Sequence, residues 1–220
     1  MKNVMGIFLA GMMAINCLGF SQNAATADAI VTQAEEEPMV GGWAAPESPA
    51  ITEEIQALCD KALEGLTGAS YTPAALLATQ VVAGTNYRIL FRSTPAILNG
   101  TETYAIGTLY QDLDGDVELT DLQVSDIATD FEELEGGWMP AASPALSEEE
   151  NGIFSKAMEG LTGVDYTPLA LLGTQVVAGT NYAIICEATV VYPDAEPYYA
   201  IVYVSENLDG IATLLDIASL

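Results

Sequence analysis

The chain contains no histidine, and only five lysines and arginines stand against 31 acidic residues, a formal net charge of −26 over 220 residues. Without histidine there is no Ser-His or Cys-His nucleophilic pair and no common zinc ligand set. So acidic a chain repels phosphate backbones, which excludes nucleic acid as a partner, and it draws basic surfaces instead. Cysteine is scarce, at positions 17, 59 and 186 only. Apolar sequence of near-spanning length is confined to the N-terminus, so no stable membrane span is expected beyond it. No glycine-rich phosphate cradle occurs. Half of the residues are nonetheless hydrophobic, enough for a packed interior.

The N-terminal stretch reads as a secretory signal peptide over residues 1–27. Lys2 precedes a mostly apolar run from Val4 to Phe20, and Gly19-Phe20-Ser21 and Ala25-Thr26-Ala27 are both acceptable cleavage sites. An uncleaved anchor is the alternative, and Asn16 is a poor neighbour for lipid attachment at Cys17. The expected destination is secreted, periplasmic or extracellular. Residues 28–39, with Glu35, Glu36 and Glu37, read as a flexible acidic leader.

The remainder is a repeat. TQVVAGTNY occupies Thr79–Tyr87 and recurs unchanged at Thr174–Tyr182, a shift of 95 residues that also carries Gly41-Gly42-Trp43 onto Gly136-Gly137-Trp138. The halves agree at only about half of their positions, yet this stretch agrees completely. Two tandem domains are therefore expected, at 40–123 and 134–220, joined by an acidic linker at 124–133. Inside the repeated stretch an apolar pair, Val81-Val82, runs into turn chemistry at Gly84-Thr85-Asn86. It is either a contact surface or the buried end of a strand with Gly84 at a bulge.

Each unit reads as one helix followed by strands. Thr52 is a plausible N-cap, and Ser147 with Glu150 forms a capping box. Ile55, Leu58, Cys59, Ala62 and Leu63 then recur at helical spacing, as do Ile153, Phe154, Ala157 and Met158. Tyr87, Ile89 and Phe91 alternate with Arg88 and Arg92, predicting a strand with one buried and one wet face. Further strands are expected at Thr103–Tyr110 and Val117–Leu122, around a turn at Leu113-Asp114-Gly115. The fold class predicted is α+β, each domain one helix packed across an antiparallel sheet of about four strands. Cys59 and Cys186 align with Phe154 and Phe91, so they read as small buried hydrophobes rather than a disulfide between two separate cores.

The residues Gly41-Gly42, Pro49-Ala50, Thr52, Glu54-Ile55-Gln56 and Asp60-Lys61, followed by the full nine-residue stretch, resemble the stefin branch of the cystatin superfamily. That family's Gln-x-Val-x-Gly signature is met at Gln80, Val82 and Gly84 and again at Gln175, Val177 and Gly179. The resemblance covers about Val40–Leu122 and Leu134–Ile217. It implies a two-headed inhibitor of papain-like cysteine proteases such as papain and the cathepsins, holding up to two per chain, with no cofactor and no enzymatic activity. The implied wedge has three parts. A trunk ends at Gly41 and at Gly136. The first loop is Gln80, Val81, Val82, Ala83 and Gly84, matched by Gln175, Val176, Val177, Ala178 and Gly179. The second loop is Leu113, Asp114 and Gly115, matched by Leu208, Asp209 and Gly210.

Two departures bear on that expectation. The second loop carries Leu-Asp-Gly where family members present proline or a bulky group. Glu135 stands beside Gly136 in a trunk tethered at both ends, so the second head is expected to be the weaker. Trp43 and Trp138 read either as interface anchors or as core or sheet-edge packing. The alternating Asp112, Asp114 and Asp116 hint at calcium but read better as a solvated hairpin tip. A non-inhibitory binding module and an enzyme with paired carboxylates are the alternative functions.

Overall fold

The computed structural model of the chain describes residues 41–129 and 137–220. The signal peptide, the leader and part of the linker lie outside the described residues. Everything described falls within one compact unit, Pro38–Leu220.

The element order repeats. Strand β1 (Trp43–Ala44) and helix α1 (Glu53–Ala62) precede β2 (Ala69–Val82), β3 (Gly84–Pro95), β4 (Thr103–Gln111) and β5 (Val117–Ala128). Then β6 (Trp138–Pro140) and α2 (Glu148–Ala157) precede β7 (Val164–Val177), β8 (Gly179–Val190), β9 (Tyr198–Asn207) and β10 (Ala212–Ser219). Each set forms a five-stranded antiparallel sheet in sequence order, without crossovers. Strand β5 runs past Leu122 to Ala128, into the stretch read as a linker.

Local chemistry starts both helices. Thr52 accepts from the Ile55 amide, and Ser147 and Glu150 close a reciprocal capping box. Acidic residues fill each first turn, and Lys61 and Lys156 sit in the last, as the helix dipole favours. Ile55, Leu58 and Cys59 pack with Leu76, Ile89, Phe91, Ala105 and Leu109. Ile153 and Phe154 pack with Leu171, Ile184, Cys186, Val202 and Val204.

The α+β expectation of a helix across a sheet of about four strands is overturned. The described residues are mostly β, with ten strands in two antiparallel sheets and only two ten-residue helices among them. A ten-residue helix is about 15 Å long, whereas a fourteen-residue strand such as β2 reaches about 46 Å, so the helix cannot cover the sheet. Most of the second cover comes from the other sheet. Ala75, Leu77, Leu90 and Tyr104 of the first repeat share one buried cluster with Ala170, Leu172, Ile185 and Ile201 of the second. The face expected to be wet is therefore an inter-sheet core. Leu90 is fully buried in it, between Arg88 and Arg92.

Equivalent residues from the two repeats meet in that cluster (Ala75 and Ala170, Leu77 and Leu172, Leu90 and Ile185), so each repeat buries the same face against the other. That is the geometry of an isologous interface, here within one chain. Strands β2 and β7 are each bulged twice, between Pro73 and Ala75 and between Leu76 and Ala78 in the first copy. The bulges re-aim side chains so that the run Ala75–Ala78 is buried throughout, serving both faces.

Candidate functional site

The repeated stretch forms the β2–β3 hairpin and its copy, the β7–β8 hairpin. Pairing continues to Val82 opposite Gly84 and to Val177 opposite Gly179, leaving Ala83 and Ala178 alone at the tips. The buried-strand reading fails here. Val81 and Val82 are 59% and 42% exposed, and Val176 and Val177 are 70% and 49% exposed. Both hairpins thus hold a pair of valines and an alanine out into solvent, where desolvating them would reward a partner.

The glycines that make the turn possible are packed, not free. Gly84 and Gly179 have φ of +128° and +127°, a region that residues with a side chain rarely adopt. A Cβ on Gly84 would overlap the Gln111 carbonyl and lie 2.9 Å from the Tyr110 ring. On Gly179 it would overlap the Glu206 carbonyl and lie 2.8 Å from Asn207 Cα. Each first-loop tip therefore leans on the strand leading to the second loop.

Gln80 links the parts. Its amide donates to the Gly41 carbonyl at 2.8 Å, and its carbonyl oxygen accepts from Asn86 at 2.7 Å. Trp43 pairs with Gln80 across β1 and β2, so the trunk glycine is laid beside the hairpin. In the second copy Asn181 donates to Gln175 at 2.8 Å and Trp138 pairs with Gln175. Gly136 lies outside the described residues, as do Met39, Val40, Leu134 and Glu135.

The second loops join β4 to β5 and β9 to β10 and place Leu113 and Leu208 at 84% and 85% exposure. Asp112 Oδ1 accepts from the amides of Asp114 and Asp116, and Asn207 Oδ1 accepts from those of Asp209 and Ile211. Aspartate and asparagine brace the same turn, which accounts for the first aspartate of the alternating run without a bound cation. Lys61, from the end of α1, donates to the Gly115 carbonyl at 3.2 Å. In the first repeat, then, Gly41, Val81–Gly84 and Leu113–Gly115 lie side by side at one end of the sheet. The second repeat brings Val176–Gly179 and Leu208–Gly210 together likewise.

The copies differ in bracing. The Tyr110 hydroxyl donates to the Ala83 carbonyl at the first tip, whereas Ser205 stands at the matching position of β9, too short to reach as far. The tryptophans serve sheet edges. Arg88 stacks over Trp43 at 4.0 Å, with Tyr199 of the other repeat 5.9 Å away. Trp138 meets Tyr203 edge-on at 5.5 Å. Sequence reasoning missed this Trp43–Arg88–Tyr199 column, because an arginine within a strand reads as solvent-facing.

Cys59 and Cys186 are free and fully buried, in different clusters. A cavity of about 450 Å³ between the repeats is lined by Arg88, Thr108, Asp121, Gln123 and Tyr199 among others. No helix among the described residues is long and apolar enough to cross a membrane. No family model matches the chain, and no curated protein matches it significantly.

Proposed function

We propose that this protein is an exported, two-headed inhibitor of papain-like cysteine proteases, acting in the manner of the cystatins. The observation that carries the reading is the exposed Val-Val-Ala hairpin tip, present twice in the same conformation and flanked by a second exposed loop. A substrate of such a protease must lie extended through the cleft with its scissile carbonyl against the thiol. The Val82-Ala83-Gly84 reversal is tied into a ladder on both sides and buttressed from β4, so it cannot extend. It would fill the cleft with apolar surface while presenting no bond for attack. Because the loops are already held in place, binding orders little and loses little conformational entropy.

The test is titration of papain or a cathepsin with the full chain, following cleavage of a peptide substrate. Val82→Asp and Val177→Asp are the informative variants, since both side chains are exposed and their replacement should leave the fold intact. Stepwise loss of inhibition with the single variants and complete loss with the double supports two working heads. A folded wild-type chain that fails to inhibit these proteases at micromolar concentration overturns the reading in favour of a non-inhibitory binding module.

A further inference from the structure

The sheets are stacked with their strands antiparallel, and this sets where each hairpin tip lies. Arg88 on β3 meets Tyr199, whose strand partner is Glu187. Arg92 shares a cleft with Leu171, whose partner is Ile184. Moving along β3 from Arg88 to Arg92 therefore corresponds to moving backwards along β8, from Glu187 towards Ile184. Extending the same register toward the first tip carries Gly84 to the level of Val191 and Ala83 to that of Tyr192. By symmetry Ala178 comes level with Ile97. Each end of the stacked sheets thus carries the wedge of one repeat and, from the other, the β8–β9 or the β3–β4 turn.

Those turns are exposed and apolar, and hydrogen bonds define their geometry. Ile97 and Leu98 are 71% and 93% exposed, and Val191 and Tyr192 are 64% and 75% exposed. Gly100 donates to the Ile97 carbonyl and Ala195 to that of Tyr192, with Asn99 and Asp194 both at φ +60°. The backbone N–H groups of Ala96 and Val191 donate hydrogen bonds to the Gly68 and Gly163 carbonyls. Sheets packed in this aligned, antiparallel way lie about 10 Å apart and cross at roughly 30°. Turn and tip are then about 15 Å from one another, well inside an ordinary protein footprint of about 800 Å² per partner.

We propose that each head is composite: Val191 and Tyr192 extend the first wedge, and Ile97 and Leu98 extend the second, each against an apolar patch on the rim of the same protease's cleft. This rests on the inhibitor reading, and it adds a contact lent by the opposite repeat. The experiment isolates one head at a time, using Val177→Asp to leave the first and Val82→Asp to leave the second. Tyr192→Ser is expected to raise the inhibition constant of the first head about tenfold and that of the second by less than about twofold. Leu98→Ser is expected to show the reverse pattern. Circular dichroism and melting temperature of each variant confirm that the fold is kept. Equal effects on both heads, or none, overturn the proposal while leaving the wedges standing. A folded wild-type chain that does not inhibit at all overturns the inhibitor reading itself, a separate and distinguishable result.

Discussion

Gln80 donates from its side-chain amide to the Gly41 carbonyl at 2.8 Å while accepting from Asn86 at 2.7 Å, so one residue fastens the trunk to the hairpin. Replacing it with alanine removes both bonds. We expect Gln80→Ala to cost about 1 kcal/mol of stability and to speed amide exchange at Trp43 and Ala44, read by native-state hydrogen exchange. Unchanged protection at those amides would show that β1 is held by something else.

The Tyr110 hydroxyl fixes the Ala83 carbonyl at the first tip, and Ser205 takes its place in the second repeat. Tyr110→Phe should raise the inhibition constant of the first head about fivefold, the equivalent of a hydrogen bond of about 1 kcal/mol. The second head should not change. The comparison is made in the Val177→Asp and Val82→Asp backgrounds.

Gly84 and Val82 are two residues apart and should behave oppositely. Gly84→Ala places a Cβ against the Gln111 carbonyl at φ +128°, and should destabilise by roughly 2 kcal/mol or more. Val82→Asp changes only an exposed side chain and should stay within about 0.5 kcal/mol of wild type. Denaturant melts of both variants give the answer directly.

Alkaline pH should weaken the fold. Burial, with the Asp60 carboxylate adding to it, pushes the Cys59 thiol up from 9.0 to about 12, and burial pushes Cys186 up in the same direction. Both shifts raise the folded pKa above the unfolded one, so the neutral thiol is the stabilised form. That stability is whole below pH 9 and is lost as pH rises towards 12. A Cys59→Ala/Cys186→Ala chain should be less stable at pH 8 but show a shallower decline between pH 9 and 11, measured by urea melts across the range.

Association with a basic protease should be strongly salt-dependent. The net charge of −26 and the carboxylates of Asp112, Asp114 and Asp116 beside the first wedge favour encounter at low ionic strength. We expect the association rate to fall about tenfold from 10 mM to 300 mM salt, with the dissociation rate nearly constant. Stopped-flow inhibition kinetics separate the two.

How much was legible depended on the length over which a signal acts. Caps at Thr52 and Ser147 and the turn at Asp112–Gly115 are local chemistry, and they sit where the residues imply. The exposed valines were legible as an anomaly, because an apolar pair at a turn contradicts the usual preference. The second core was not legible. Leu90 lies between Arg88 and Arg92, and the arginines made that face look wet, although Ala75-Leu76-Leu77-Ala78 is the continuous run that a strand buried on both faces shows. The arginine at 88 is held by aromatic rings from β1 and from the other repeat, partners that no local window contains. The short strand β1 starts just past the expected trunk end at Gly41, and its two residues carry no period that would mark it as a strand.

The common face through which the repeats meet has a bearing on how the chain can be divided. Ala75, Leu77, Leu90 and Tyr104 would all be stripped of cover if the first repeat were made alone. Because the covering surface in the whole chain is a near-copy of the covered one, the severed half already carries its own replacement partner. Half of this protein should be a homodimer, and the length of chain between the repeats would then act as a tether that makes the same union independent of concentration.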